Sequence, residues 1–149
     1  MAKQSAKRSR QYHVYVIELH GKRFRKKLEE GGAKKFREHN PHIWGPSGLG
    51  ITKKTRFYYV GQSAHEPKCR FRQHKRCHGQ KILFECKCSC GPLTIVKNRS
   101  NAYVREFGTM LRKWKYNEYN PIQSRDEALK KEKEIAKDIR LEGHAAYFA

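Results

Sequence analysis

Two tyrosine-rich stretches, each dense in β-branched and aromatic residues, do most to limit the folds open to this chain. YHVYVIEL at 12–19 and TRFYYVG at 55–61 both have the composition typical of buried strands. The second stretch ends at Gly61, and Pro67 follows at a position suited to the first turn of a helix. We therefore expect a strand, a short loop and a basic helix from about Glu66 to Cys77 in succession.

The clearest helix lies near the C-terminal end of the sequence. Ser124 and Glu127 have the spacing of a capping box, in which a serine at the N-cap is followed by a glutamate at N3. The helix is expected to run to about Leu141 and to stop at Gly143, because glycine commonly follows the last helical turn. AAYFA, which comes next, is expected to form a short final strand.

The remaining segments are less regular. HGKRFRKKLEEGGAKKFREHNP predicts two short basic helices broken at Gly31-Gly32, and HIWGPSGLGITKK predicts a loop. KILFECKCSCGPLTIVKN predicts a pair of strands that turns near Gly91-Pro92. In NAYVREFGTMLRKW the apolar residues have helical spacing, with a strand as the open alternative. These apolar residues are Val104, Phe107, Leu111 and Trp114.

The charge of the chain indicates the kind of partner it binds. It has 34 Lys and Arg residues against 14 Asp and Glu residues, which gives a formal net charge of +20. A field of this sign attracts polyanions. Nucleic acid is favoured over acidic lipid because no basic amphipathic helix with a large apolar face is evident. Residues 1–10 are expected to be a disordered basic arm that assists phosphate binding.

Length and targeting signals bound the protein further. The chain of 149 residues is expected to form one domain over 11–149 with a single modest core. No apolar stretch follows the basic N-terminus as in a signal peptide, and no apolar run approaches the roughly 20 residues needed to span a bilayer. Five cysteines without an export signal indicate a reducing compartment. We therefore expect a cytoplasmic protein.

One carboxylate of the last helix points towards the expected core. Glu132 falls near the middle of the apolar stripe that this helix presents at about 100° per residue. A carboxylate in such a place is costly unless it is paired, hydrogen-bonded or bound to a metal. The ordinary explanation is a glutamate at the rim of the core that pairs with an arginine. Glu106, the rival carboxylate, lies to the side of its local stripe and is expected to be solvated. The other members of the Glu132 stripe are Ala128, Ile135, Ala136 and Ile139.

These features resemble the GIY-YIG nuclease superfamily. HVY at 13–15 stands where the family has its first tripeptide, YVG at 59–61 stands for the second, and RFRQH supplies the Arg70 and His74 expected on one face of the first helix. EALKKEKEIA is similar to the later helix that carries the metal-binding glutamate, which corresponds to Glu132. The pattern is most similar to a bacterial subgroup of mostly uncharacterised members. It implies an α/β (α+β) fold with a small, mostly antiparallel central sheet flanked by helices.

The resemblance also implies a DNA endonuclease that hydrolyses phosphodiester bonds, with RNA as the alternative substrate. A divalent ion, Mg²⁺ or Mn²⁺, would be bound by Glu132 and water. Arg70 would stabilise charge on the phosphate, Tyr15 would act as the base or position the attacking water, and Tyr59 would assist. His74 would accept a proton from tyrosine or contact the phosphate.

Four further residues are implied as contacts to nucleic acid. Gly61 would let the backbone approach the substrate closely, and a plain turn glycine is the alternative. The other three are basic residues of the first helix, Arg72, Lys75 and Arg76. Neither a membrane nor a small organic cofactor is expected as a partner.

The sequence departs from the family pattern at several points. His13 and Val14 replace the Gly and Ile of the first tripeptide. Residues 20–55 are an inserted segment of helices and loops, and residues 79–100 are an inserted Cys-bearing hairpin. An alternative alignment places the catalytic, metal-binding glutamate at Glu106, because Asn120 would then follow it as the late asparagine of the family does.

The cysteines invite a zinc hypothesis. Cys86, Cys88 and Cys90 of CKCSC would lie on one face of a strand, and the usual C-x₂-C spacing is absent. A zinc site that combines two of them with Cys77 or His78 is the less favoured interpretation. Small buried side chains or free thiols are the favoured one.

Two other functions share the same composition. One is a nucleic-acid-binding module of this fold that has lost activity, and the other is a basic structural component of a ribonucleoprotein. Only the nuclease requires Tyr59, Arg70 and Glu132 to converge on one site.

Overall fold

The structure is a computed structural model, and it describes residues 11–45, 48–49, 51–76, 82–84, 93–96 and 101–148. Two single 3₁₀ turns, Lys113–Lys115 and Asn117–Tyr119, precede the last helix. Among the described helices, none has the length and apolar character to cross a lipid bilayer. The elements in chain order are β1 (His13–Leu19), α1 (Gly21–Glu29), α2 (Lys34–Glu38), β2 (Trp44–Gly45), β3 (Gly48–Leu49), β4 (Phe57–Ser63), α3 (Pro67–Arg76), β5 (Ile82–Phe84), β6 (Leu93–Val96), α4 (Ala102–Phe107), β7 (Gly108–Leu111), α5 (Arg125–Leu141) and β8 (Ala145–Tyr147).

A four-stranded sheet with the order β7-β1-β4-β8 forms the centre of the molecule. β1 is antiparallel to both of its neighbours, whereas β8 is parallel to β4. The pairs β2–β3 and β5–β6 are separate antiparallel ribbons, and β5–β6 lies where the sequence predicts a strand pair. The expected small α+β fold with a mostly antiparallel sheet is confirmed.

Both faces of the sheet are buried. Tyr15 pairs with Gly61 and Ile17 with Tyr59, so these residues share one face. Rings from α1 and α2 pack on that face, where Phe24 contacts Phe57 at a centroid distance of 5.4 Å. The residues that alternate with them are also fully buried, so the sheet has a core on each side. Those of the second face are Val14, Val16 and Val60.

Helix α5 has the ends and the apolar stripe that its sequence predicts. The Ser124 side chain accepts a hydrogen bond from the Glu127 amide at 3.1 Å, and Gly143 has a φ of +90° after the last turn. The helix packs against β1, β4 and β8. All five predicted stripe residues are buried, and the Glu132 residue is only 3% exposed.

Three segments differ in extent or type from the favoured prediction. Strand β4 does not end at Gly61 but continues to Ser63, because it pairs with the whole of β1. The segment after Asn101 is helical only to Phe107 and then becomes β7, since Gly108–Leu111 pairs with β1. Trp114 consequently leaves the predicted helical stripe and is 70% exposed. The short ribbon β2–β3 replaces part of the predicted loop.

Two asparagine side chains continue the hydrogen-bonding of the sheet at its edges. Asn120 Oδ1 accepts from the Val14 amide and Asn120 Nδ2 donates to the Val14 carbonyl, both at 2.8 Å. Asn40 Oδ1 accepts from the Ala146 amide at 2.8 Å, and Asn40 Nδ2 donates to the Phe36 carbonyl. Backbone groups that would otherwise be buried without partners are satisfied in this way.

We expect Asn40→Ala to lower the free energy of unfolding by about 2–4 kcal/mol, because two buried backbone groups lose their partner. Urea denaturation of the variant measures this loss. Asn117→Ala, which changes an exposed asparagine, is the matched control and should alter stability by less than about 0.5 kcal/mol. Equal stability of the two variants would contradict the role of Asn40.

Candidate active site

Tyr15 and Tyr59 come together because β1 and β4 pair with both residues on the same face of the sheet. Their ring centroids are 6.3 Å apart. The two rings are almost fully buried, and Tyr15 is 1% exposed. The predicted convergence of the two phenols is therefore present in the strand register itself.

Gly61 makes room for the ring of Tyr15. A Cβ atom built on Gly61 would lie 2.4 Å from both Cζ and Oη of Tyr15, far inside van der Waals contact. Gly61 also lies within β4, so its interpretation as a turn glycine is wrong. The close approach that glycine permits here is taken up by the ring of Tyr15, and the expected contact of Gly61 with nucleic acid stays a prediction.

His74 ties Tyr15 to the helices on this face. His74 Nδ1 accepts a hydrogen bond from the Asn101 amide at 3.0 Å, and His74 Nε2 lies 2.9 Å from Tyr15 Oη. Burial, followed by the charge of Arg70, lowers the pKa of His74 to about 3, so the imidazole is neutral. A neutral imidazole carries one proton, and Nδ1 is occupied as an acceptor. Nε2 therefore carries the proton and donates it to Tyr15 Oη.

This tautomer changes the role expected of His74. The ring has no lone pair directed at Tyr15, which argues against His74 as the acceptor of a tyrosine proton. Its 1% exposure equals that of Tyr15. His74 instead orients the phenol of Tyr15. Asn101, which fixes the tautomer, is not among the site residues expected from the sequence, although an asparagine before AYVREF is a recognisable N-cap.

The two phenols are protonated at neutral pH in the metal-free protein. Burial raises the pKa of Tyr15 to about 12, against the opposing charge of Arg70 and a hydrogen bond from it. Burial also raises the pKa of Tyr59 well above its ordinary value. The negative charge of Glu132 adds to both increases, and Arg70 counters both. Glu132 and Arg70 are therefore within electrostatic range of both tyrosines.

Arg70 lies on α3 one turn before His74, as the sequence predicts. Its guanidinium donates a hydrogen bond to Gln73 Oε1. Gln73 is itself buried, so this contact restrains the orientation of Arg70 next to the phenols. The charge of Arg70 acts on Tyr15, Tyr59 and His74, so the guanidinium lies within electrostatic range of all three.

Glu132 is the carboxylate that the structure brings to this cluster. Burial raises its pKa to about 8, with a smaller opposing effect of Lys133. Within the described ranges, no hydrogen bond or ion pair to its carboxylate is formed, so the pairing with an arginine offered as the ordinary explanation is not seen there. Glu106 is exposed on α4. Burial therefore distinguishes the two candidates in favour of Glu132.

In the alternative alignment, which pairs Glu106 with Asn120, the asparagine also has a different role. Both polar groups of the Asn120 side chain are already bonded to the backbone of Val14. Asn120 thus has a structural role at the sheet edge. The combination of Glu106 with Asn120 as catalytic residues is not supported by this geometry.

The expected nucleic-acid contacts on α3 need correction at Lys75. Lys75 Nζ donates to the carbonyl groups of Val104, Arg105 and Gly108 at 3.5, 3.2 and 3.0 Å. An ammonium group in this position satisfies the carbonyls at the end of α4 and is not directed at solvent. Arg72 is half-buried on α3, and the side chain of Arg76 lies outside the described residues.

The zinc hypothesis concerns residues outside the described ranges, namely Cys77, His78, Cys86, Cys88 and Cys90. The remaining cysteine, Cys69, is buried in α3 and disulfide-bonded, which differs from the reduced cysteines expected from the sequence. Within the described part of the chain, no three His, Cys, Asp or Glu side chains are grouped as a metal site. The basic arm at 1–10 likewise lies outside it.

Comparisons of the chain with models of protein families, with curated proteins and with solved structures found no match. The resemblance to the GIY-YIG superfamily therefore stays a prediction.

Glu132 should make the stability of the metal-free protein depend on pH. Its pKa of about 8 lies above the ordinary 4.5, so the native state holds this proton more tightly than the unfolded state does. The resulting stabilisation is lost as the pH rises from about 4.5 to about 8. His74 has the opposite sign, since its pKa of about 3 lies below the ordinary 6.5 and its contribution is lost as pH falls between those values.

We therefore expect the free energy of unfolding to fall between about pH 6.5 and 8, where Glu132 acts without opposition from His74, by up to about 1.4 kcal/mol per pH unit. Urea denaturation in the presence of a chelator measures this slope. Glu132→Gln should remove it, whereas the exposed Glu106→Gln should leave it unchanged. A slope that persists in Glu132→Gln would show that the carboxylate does not hold the proton.

Proposed function

We propose that this protein is a metal-dependent endonuclease that hydrolyses phosphodiester bonds in DNA. The observation that supports this most directly is a buried carboxylate, Glu132, whose charge acts on Tyr15 and Tyr59, the two phenols on which the charge of Arg70 also acts. Burial of a carboxylate that no described residue pairs with is costly. A function that binds a cation at this point accounts for that cost.

The residues present fit a hydrated divalent cation. Mg²⁺ takes oxygen ligands and usually keeps several waters, so one carboxylate together with water and phosphate oxygens suffices. Such an ion would polarise the scissile phosphate and stabilise the leaving oxygen. Because Glu132 has a pKa of about 8, its carboxyl group must lose a proton when it takes a cation.

The other groups have complementary roles. Arg70 supplies positive charge for the phosphate oxygens as the transition state develops. Tyr15 Oη accepts the Nε2 proton of His74 and is also hydrogen-bonded to Arg70 and Tyr59. The same donor and the charge of Arg70 would stabilise the phenolate if Tyr15 acts as a base. Tyr59 extends the set of hydroxyl groups alongside Tyr15.

A nucleic-acid-binding module without catalytic activity is the second candidate. It is favoured by the depth of the cluster, since Tyr15, His74 and Glu132 are all nearly inaccessible to solvent. In that case the same hydrogen bonds would serve only to hold β1 against α3 and α4. Activity of the intact protein separates the two candidates.

Glu132→Gln should abolish Mg²⁺-dependent nicking of supercoiled plasmid DNA, by a factor of at least about 10³ in rate, because the cation loses its protein ligand. Binding of the same DNA should change by less than about threefold, since cationic side chains dominate it. Glu106→Gln is the matched control and should retain full activity. Arg70→Ala should lose activity like Glu132→Gln.

Full cleavage by Glu132→Gln together with loss in Glu106→Gln would move the metal site to α4. No cleavage by the unaltered protein in Mg²⁺ or Mn²⁺, with DNA binding intact, would support the inactive module instead.

Tyr15→Phe should lower the nicking rate about 10²-fold or more, because the hydroxyl that contacts His74 and the reacting groups is removed. Tyr59→Phe should have a smaller effect in the same direction. Tyr58→Phe is the control, since Tyr58 is equally buried but faces the other side of the sheet. Single-turnover nicking rates measure the difference, and equal rates for Tyr15→Phe and Tyr58→Phe would exclude a role for Tyr15.

A further inference from the structure

A basic groove lies at the end of the sheet where β1 leads into α1. It has a volume of about 560 Å³, and its walls come from α1, from the loop before β4 and from the end of β1. Five cationic side chains line it against one carboxylate, Glu18. The cationic residues are Lys22, Arg25, Lys53, Lys54 and Arg56.

We propose that this groove binds the phosphate backbone of DNA away from the site of cleavage. The proposal rests on the proposed function for its choice of DNA as the polyanion. It assigns a substrate contact to residues around the 20–55 segment, in place of Lys75 of α3, which is already bonded to carbonyl groups. Arg72, Arg76 and Lys75 were the contacts expected from the sequence.

The loop that carries two of the lysines is held in place. Arg25 Nη2 donates to the carbonyls of Thr52 and Thr55 at 3.1 and 3.3 Å, which attaches the loop to α1. Thr55 Oγ1 also accepts from the Thr52 amide at 3.0 Å. Lys53 and Lys54 lie between these anchors and are exposed. The loop therefore presents two ammonium groups from a restrained backbone, which lowers the entropic cost of binding.

The single carboxylate of the groove does not cancel its charge. Glu18 bonds Arg112 at 2.8 Å and Arg56 at 3.3 Å. Burial alone would raise the pKa of Glu18, but the two guanidinium groups hold it below its ordinary value, so the residue stays ionised and paired. Helix α1 begins beside it with no acidic residue in its first turn, and its N-terminal dipole adds to the positive field.

The groove suits a nucleic-acid backbone better than a lipid surface. Membrane-bound basic surfaces carry exposed apolar side chains next to their charges. Leu19 is the apolar residue of the groove lining, and it is buried. A concave row of cations without an exposed apolar partner matches a chain of phosphates.

The register of the sheet gives the distance from the candidate active site. The pair Leu19–Phe57 lies beside the groove, and the pair Tyr15–Gly61 lies four residue steps along β1. Four steps at about 3.3 Å span about 13 Å. The groove would therefore bind phosphates about 13 Å from the candidate active site.

The test compares two double variants with the same change in charge. Lys53→Gln/Lys54→Gln alters the groove, and Lys130→Gln/Lys137→Gln alters exposed lysines of α5. Affinity for duplex DNA is measured by fluorescence anisotropy across a range of salt concentrations without divalent metal. The groove variant should lower the slope of log affinity against log salt by about 1.8, from two lost phosphate contacts, and the α5 variant by less than about 0.5.

Equal slopes in the two variants overturn the proposal, because binding would then depend on net charge alone. Absence of DNA binding by the unaltered protein overturns it as well. If only the groove variant loses affinity and the unaltered protein does not nick DNA, the groove proposal is supported and the proposed nuclease is contradicted. If the groove variant nicks DNA at the normal rate and its salt slope is unchanged, the nuclease is supported and the groove proposal is contradicted.

Discussion

The hydrogen bonds that run from Tyr15 through His74 to the backbone of Asn101 are the interaction on which the candidate site depends. They connect the central strand β1 to α3 and to the start of α4, and so fix a phenol of the sheet against two helices. Because the Asn101 amide can only donate, it decides the tautomer of the buried ring and directs the remaining proton at Tyr15. Gly61 completes the arrangement by leaving space for the phenol. One imidazole thereby couples the fold of the domain to the chemistry of its site.

Glu132 differs from these hydrogen-bonded groups, because its carboxylate has no hydrogen-bond partner among the described residues. Its carboxylate is buried on α5, and its raised pKa means that the proton is held near neutral pH. Stability is therefore greatest when the residue is uncharged, whereas the proposed reaction requires the charged form. A divalent cation would resolve the conflict, since it replaces the proton and supplies an opposite charge in direct contact with the carboxylate. The phenols would respond to the same exchange, because their own pKa values are raised in part by the charge of Glu132.

Local pattern and long-range contacts account for what the sequence could and could not predict. The inward position of Glu132 follows from helical periodicity, and the start of α5 follows from Ser124, so both were predictable. The functions of Gly61 and Lys75 were not, because each depends on an atom distant in sequence: the Tyr15 ring in one case and the end of α4 in the other. Gly108 shows the same limit, since strand pairing with β1 overrides the helical spacing of the residues around it.

The cations of the chain divide into structural and available groups, and this division explains why net charge alone identifies no binding face. Lys75 bonds carbonyl groups, Arg112 holds Glu18, and Arg140 bonds the Ala146 carbonyl and Asn40, so these charges serve the fold. The side chains of Lys53 and Lys54 form no hydrogen bond or ion pair with the described residues. They lie on a loop that Arg25 attaches to α1. In the proposed nuclease, a restrained basic groove about 13 Å along β1 from the candidate active site would adjust where a substrate is held without altering how it is cut.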